Sequence, residues 1–358
     1  MPKTSIEWTD RSWPVVNGCR RVSPGCGGAA GVGGCYAERL AATRLRKTDK
    51  YRGLAVLNSH GPHWTGVTRL WEKELAMPLR LRKPSRIFVA DMGDLFYEEV
   101  SNETIAAIYW VMAATPWHTY QVLTKRARRM REWYEWVERE GGARRLGLLL
   151  HHAQRMMPSG GVSKRALDIL GATQPILEQS WPLRHVWLGV STEDQKRADE
   201  RITELLRTSA TVRFVSYEPA IGPIDFYPWL LEESIRTTET ILDWIICGGE
   251  SGPGSRPFHI AWARSVAEQC SDAGVAFFMK QLGADVRWDG ISTPPNHWMP
   301  KDTEDAGDGS WRVHLKDRKG GTMSEWPVDL RVRQYPTLRS APASDRRSGS
   351  REHADLRA

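Results

Sequence analysis

The sequence predicts an α/β protein built on a parallel sheet, and two observations carry that prediction. Short apolar runs recur from about residue 86 onward, and helical periodicity fills several of the intervals between them. Each run is rich in β-branched or aromatic residues and is closely followed by a polar turn, as expected of strands buried on both faces. Repeated β–α–β units pack their crossovers back onto one sheet, which makes that sheet parallel.

The runs lie at 87–90, 120–123, 186–190, 212–215, 244–247 and 276–279. After the first, Ser101 is placed to cap a helix whose Ile105, Ile108, Tyr109 and Met112 share one apolar face. After the third, Thr192-Glu193-Asp194-Gln195 reads as a capping box, opening a helix with Ala198, Ile202, Leu205 and Leu206 inward. After the fifth, a helix over about 261–272 is closed by Gly274. Residues 132–182 read as an insertion with helical patches within a (β/α) domain spanning 1–284. Residues 285–338, rich in Trp, Pro, Asp and Gly, read as an irregular extension, and 339–358 as a disordered basic tail.

Composition narrows the function classes. With 41% hydrophobic and 26% charged residues over 358 positions, the chain is that of a folded globular protein with its own core. It has no run of about 18 apolar residues to cross a membrane. Its first residues, Met-Pro-Lys-Thr-Ser-Ile-Glu-Trp, hold no apolar stretch that reads as a signal peptide, so the expected location is cytoplasmic. A net charge of +7 favours a polyanionic partner. Clusters such as Arg126, Arg128, Arg129 and Arg131 read equally well as a solvated face.

Chemistry in parallel α/β folds collects at the carboxyl ends of the strands. There the sequence delivers Asp91 and Asp94; Thr124, Lys125 and Arg126; Ser191, Glu193 and Asp194; Ser216 and Glu218; Glu250 and Ser251; Lys280 and Gln281. That regularity describes a polar rim. The loop from Gly248 and Gly249 through Glu250 to Arg256 and Pro257 lets backbone N–H groups face an anion. It matches neither the dinucleotide nor the nucleoside-triphosphate pattern, and reads as a tight turn or a ligand loop.

Five cysteines are present, and Cys19, Cys26 and Cys35 fall within seventeen residues. The odd total argues against a disulfide framework. Cys247 and Cys270 sit in apolar contexts and read as buried hydrophobes. Glycine beside each of the first three lets amides approach thiolate sulfur. Structural zinc closes its shell with four donors, whereas a cluster held by three cysteines leaves one iron open. A fourth ligand from Cys247, Cys270, His60 or His63 keeps zinc as the alternative.

Many ordered blocks resemble one family. They are Ser5-Ile6-Glu7-Trp8-Thr9-Asp10, the 17–26 segment, Cys35-Tyr36-Ala37-Glu38-Arg39, Asp91-Met92-Gly93-Asp94-Leu95-Phe96, Val122-Leu123-Thr124-Lys125-Arg126, Trp187-Leu188-Gly189-Val190-Ser191, Phe214-Val215-Ser216-Tyr217-Glu218-Pro219, Gly248-Gly249-Glu250-Ser251-Gly252 and Phe278-Met279-Lys280-Gln281. Through these the chain resembles the phage-associated Gp-thirty-seven/Gp-sixty-eight proteins of unknown function, whose three-cysteine motif is similar to that of radical S-adenosylmethionine enzymes. The resemblance implies a partial TIM-like (β/α) barrel, a 4Fe–4S cluster on Cys19, Cys26 and Cys35, and S-adenosylmethionine at its open iron. It also implies phage or prophage origin in a bacterial host and action on a nucleic acid or nucleotide. Cofactor contacts are then expected from Tyr36, Asp91, Asp94, Lys125, Ser191, Glu218, Gly248, Gly249 and Glu250, and substrate contacts from Arg126, Arg256, Lys280 and Gln281. One departure stands out: the family usually has two residues between its second and third cysteines, and here there are eight. Gly34 also stands where an aromatic residue commonly precedes the third cysteine, with Tyr36 on the other side.

Two rivals accompany this enzyme reading. One is a non-catalytic nucleic-acid-binding protein with a structural zinc or iron site, in which Trp8, Trp13 and Trp64 are candidates to stack on bases. The other is a degenerate enzyme whose cluster was lost through the 27–34 expansion.

Overall fold

All six apolar runs become strands of one parallel sheet, and a seventh strand joins at its edge. The computed structural model describes residues 1, 3–28, 35–157, 168, 181–231, 242–289 and 303–337. In chain order the strands are β1 (Arg11–Trp13), β2 (Arg86–Val89), β3 (Thr119–Thr124), β4 (Val186–Thr192), β5 (Arg213–Tyr217), β6 (Trp244–Gly248) and β7 (Ala276–Gln281). Their spatial order is the chain order, and every neighbouring pair is parallel. A sheet that always grows on the same side curls instead of doubling back, and this one forms a half-barrel. β1 offers only Arg-Ser-Trp, too short to show a period, which is why the sequence pattern yields six strands.

The longer helices among the described residues are α1 (Tyr36–Ala42), α2 (Asn102–Ala113), α3 (Ala127–Gly141), α4 (Arg145–Met156), α5 (Gln195–Leu206) and α6 (Ile260–Asp272). Ser101 caps α2 by accepting a bond from the Thr104 N–H at 3.2 Å. α2 is buried all round from Ile105 to Ala113, not along one face alone, because α4 packs over it. The expected capping box shifts by two residues: Thr192 completes β4, and Asp194 caps α5 by accepting from the Arg197 N–H at 2.9 Å. α6 ends as expected. The Gly274 N–H bonds the Ser271 carbonyl and the Val275 N–H bonds that of Cys270, with Gly274 at φ +64.

Of 132–182, the described part is mainly the rest of α3 and α4; residues 158–167 and 169–180 lie outside the described residues, as does the tail 339–358. Beyond 285, the strands Val286–Trp288, Thr303–Asp305 and Trp311–Val313 join Phe258–His259 in a second, four-stranded sheet. Arg333 then pairs antiparallel with Phe278, so the chain covers the open edge of β7.

Side-chain alternation splits the main sheet into two faces. Ile87, Val122, Leu188, Val215, Ile245 and Met279 pack outward in the large core shared with the helices. Trp187, Phe214, Trp244 and Phe278 point inward and, with Trp8, plug the amino-terminal end of the lumen. Gly189 is required there, since a Cβ would meet the Phe214 ring at 2.4 Å. The same alternation brings Lys125, Ser191, Glu218, Gly248 and Lys280 to the inner face at the carboxyl end, the mouth of the half-barrel.

Candidate metal centre at the barrel mouth

Each cysteine segment is fastened to a different part of the mouth. Cys19 follows Gly18, whose φ of +91 and contact with the Val67 carbonyl leave no room for a side chain. The Gly18 N–H bonds the Met92 carbonyl at 3.0 Å, which sets Cys19 beside the loop after β2. From the end of β3, Arg126 reaches Cys19 Sγ with Nη1 at 3.6 Å and the Arg20 carbonyl with Nη2 at 2.9 Å. Cys26 ends a short 3₁₀ turn, Pro24–Cys26. That turn is held by Glu193, which accepts from the Gly25 N–H at 3.3 Å, and by Arg256, whose Nη1 donates to the Pro24 carbonyl at 2.7 Å. Cys35 stands at the N-cap position of α1, where its carbonyl accepts from the Arg39 N–H at 3.1 Å.

The thiols share one electrostatic neighbourhood. Burial pushes the Cys19 thiol up to about 12; Asp94 adds to this, Arg126 opposes it, and Cys35 and Cys26 raise it further. Cys35 is also raised, by burial first, against the pull of the Glu38 amide. The three thiols feel one another's charge, and the Arg126 guanidinium lies beside Cys19. Among the described residues, no group of three or more Cys, His, Asp or Glu side chains is placed to hold a metal ion. Residues 29–34, which include Gly34 and most of the eight-residue spacer, lie outside the described residues.

The suggested fourth ligands have other surroundings. Cys247 and Cys270 are buried in the outer core, away from the lumen. His60 and His63 bond within their own hairpin, to Ser59 Oγ and the Gly61 carbonyl. Trp8 and Trp13 are buried and present no ring face for a base to stack on, and Trp64 is half-buried.

The rim residues divide into saturated and open groups. Asp94 accepts from Thr124 Oγ1 at 2.7 Å, Phe96 N–H at 3.0 Å, Lys125 N–H at 3.1 Å and Arg126 Nη1 at 3.1 Å. Glu250 is occupied by Arg256, which donates Nε to Oε2 and Nη2 to Oε1, both at 2.9 Å. Gly249 packs against Leu282, whose carbonyl a Cβ would meet at 2.2 Å. Around Gly248 the nearest atoms, from Gln281, Glu218 and Lys280, would stay at 3.5 Å.

The other rim groups bond chiefly to one another, and Gln281 and Asp91 each keep an unpartnered oxygen. Lys125 Nζ donates to Ser191 Oγ at 2.5 Å, and Ser191 donates to the Glu218 carbonyl at 3.0 Å. Lys280 Nζ meets Glu218 Oε1 at 2.5 Å, while Gln281 Nε2 bonds the Gly249 carbonyl at 2.8 Å and leaves its own oxygen unpartnered. Tyr36 donates to the Asp91 carbonyl at 2.5 Å. The Asp91 carboxylate is buried with Oδ1 unpartnered, and burial raises its pKa to about 6 despite a bond from Ser12 and the charge of Lys50.

Two fully buried acids support the mouth without being among the expected cofactor or substrate contacts. Glu193 pairs with Arg201 at 2.8 Å, and Glu38 pairs with Arg21 at 2.6 Å while accepting from the Trp64 N–H at 2.7 Å. Glu38 is visible in the sequence only as part of the Cys35–Arg39 motif block, and Glu193 as a rim residue within the capping-box pattern.

Comparison with curated proteins finds no match. Among solved structures the chain is similar to spore photoproduct lyase complexed with dinucleoside spore photoproduct. The identity is 10% and the TM-score 0.35, over 89% of this chain and 72% of that one. A likeness that remote says nothing of activity. A family model also matches residues 3–324, and its description names neither a function nor a phage. The chain belongs to that family, described as proteins of unknown function, DUF5131.

Proposed function

We propose that the protein is an iron–sulfur enzyme of the radical S-adenosylmethionine type, acting on a nucleotide or nucleic acid. Cys19, Cys26 and Cys35 are its cluster ligands. The observation that carries this reading is the fastening of the three cysteine segments to one barrel mouth. Arg126 holds Cys19, Glu193 and Arg256 hold the Cys26 turn, and Tyr36, next to Cys35, holds the loop after β2. When bound, such a cluster supplies one-electron reduction at an iron that lacks a protein ligand.

The chain's own residues bind, orient and exclude water. Lys280 and Glu218 present an ammonium and a carboxylate side by side, complementary to the zwitterion of an amino-acid group. Lys125, held by Ser191, offers an ammonium beside them, and Asp91 Oδ1 offers a free acceptor. Asp94 and Glu250, saturated by arginines, act as positioning residues. The plug of Trp8, Trp187, Phe214, Trp244 and Phe278 closes the lumen to water from below. The net charge of +7 suits a phosphate-bearing substrate.

The test is anaerobic. The reconstituted, reduced protein is incubated with S-adenosylmethionine and the products are separated by liquid chromatography. Cleavage that needs both reductant and the three cysteines is expected. A protein that holds one zinc and leaves S-adenosylmethionine intact overturns the reading.

A further inference from the structure

Among the described residues, a row of cations beside the mouth is left unneutralised. Arg39 on α1 and Arg44, Arg46 and Lys47 in the following turn are exposed, and among the described residues none of them forms an ion pair. The groove of about 630 Å³ between α3 and α5 differs. There Arg128 meets Glu132, Arg197 meets Glu200 and Arg201 meets Glu193.

The turn carrying the row is well held. The Leu45 N–H bonds the Leu40 carbonyl at 2.9 Å, and the Thr48 N–H bonds that of Leu45 at 3.0 Å. Leu45 packs against the cluster of Ala37, Ala41, Tyr51 and Leu54. A backbone fixed in advance leaves less to be ordered when an anion docks.

The row also starts at the site. Arg39 lies against the glycine-rich loop, with Nη1 3.0 Å from where a Cβ of Gly252 would stand. One turn earlier, Tyr36 has its hydroxyl tied to the Asp91 carbonyl and is exposed over 43% of its residue surface. Unpaired bases stack on such rings, and chemistry on a base requires that the base leave its duplex.

We infer that Arg39, Arg44, Arg46 and Lys47 dock the phosphate backbone of a single nucleic-acid strand and lead one of its bases to Tyr36 at the barrel mouth. The inference rests on the proposed nucleotide or nucleic-acid substrate and makes that substrate a polymer.

Fluorescence anisotropy of a labelled single-stranded DNA oligonucleotide, titrated with the full chain at several salt concentrations, tests it. The variant Arg44→Glu/Arg46→Glu/Lys47→Glu is expected to bind at least about tenfold more weakly, with the salt slope reduced by about 2. Arg44→Lys/Arg46→Lys is expected to bind like the parent. A variant of equal charge change, Arg80→Glu/Arg82→Glu/Lys83→Glu, alters exposed residues ahead of β2, at the opposite end of the sheet, and is expected to stay near parental affinity. If the first triple does not fold, the corresponding glutamine triple replaces it. Equal losses in both triples, or no loss in the first, overturn the docking surface, as does binding to phosphatidylserine vesicles without binding to the oligonucleotide. Iron content is read separately. A chain without iron that still binds through this turn upholds the docking and contradicts the enzyme reading.

Discussion

Arg126 Nη1 stands 3.6 Å from Cys19 Sγ and 3.1 Å from Asp94 Oδ2, so one guanidinium serves a thiol and a buried carboxylate together. Arg126→Ala would leave Asp94 charged and unpaired in the interior. The expected cost is about 3–5 kcal/mol in urea denaturation. Arg126→Lys keeps the charge but loses the fork, and recovers only part of it. Parental stability in Arg126→Ala would show that the pair is not a support of the mouth.

Glu193 ties the Cys26 turn to α5 and gives stability a pH signature. Burial alone would raise its carboxyl, but the charges of Lys125 and Arg201 and the bonds from Ser23 and Arg201 outweigh it, and the pKa falls below 4.5. A depressed folded value means that the contribution is present above pH 4.5 and is lost as pH falls through the folded value. Glu193→Gln should therefore be less stable than the parent at neutral pH, with the difference closing in acid. A difference that does not change with pH would contradict this.

Asp91 runs the other way. Its folded pKa of about 6 lies above the ordinary 3.8, so the native state holds the proton more tightly than the unfolded chain. The resulting cost grows as pH climbs between these values and is full above 6, at about 3 kcal/mol. Asp91→Asn is expected to be more stable than the parent at neutral pH, to lose that gain near pH 4, and to turn over S-adenosylmethionine more slowly. Denaturation at both pH values checks the sign.

Neighbouring glycines should behave differently. Gly249→Ala drives a Cβ against the Leu282 carbonyl and is expected to cost about 1–3 kcal/mol. Gly248→Ala meets only ordinary contacts with Glu218, Lys280 and Gln281. It should fold like the parent and bind S-adenosylmethionine more weakly, read by melting temperature and equilibrium dialysis.

Much of the fold was legible because strands buried on both faces leave continuous apolar runs. β1 was not, since three residues show no period, and the α5 cap slipped because β4 runs on to Thr192. The cysteine group and the polar rim could be named from spacing and from strand ends. Which rim residues are free could not. Asp91, Asp94 and Glu250 look alike in sequence, yet Arg126 and Arg256 occupy two of them and leave Asp91 with an open oxygen. Pairs such as Arg21 with Glu38 carry no signature in their spacing.

Iron and acid-labile sulfide analysis of anaerobically purified protein, beside Cys19→Ser/Cys26→Ser/Cys35→Ser, tests the central claim most directly. The account predicts about four irons and four sulfides per chain, absent from the triple variant. Iron at the same level in both proteins, or zinc without sulfide in the parent, would contradict it.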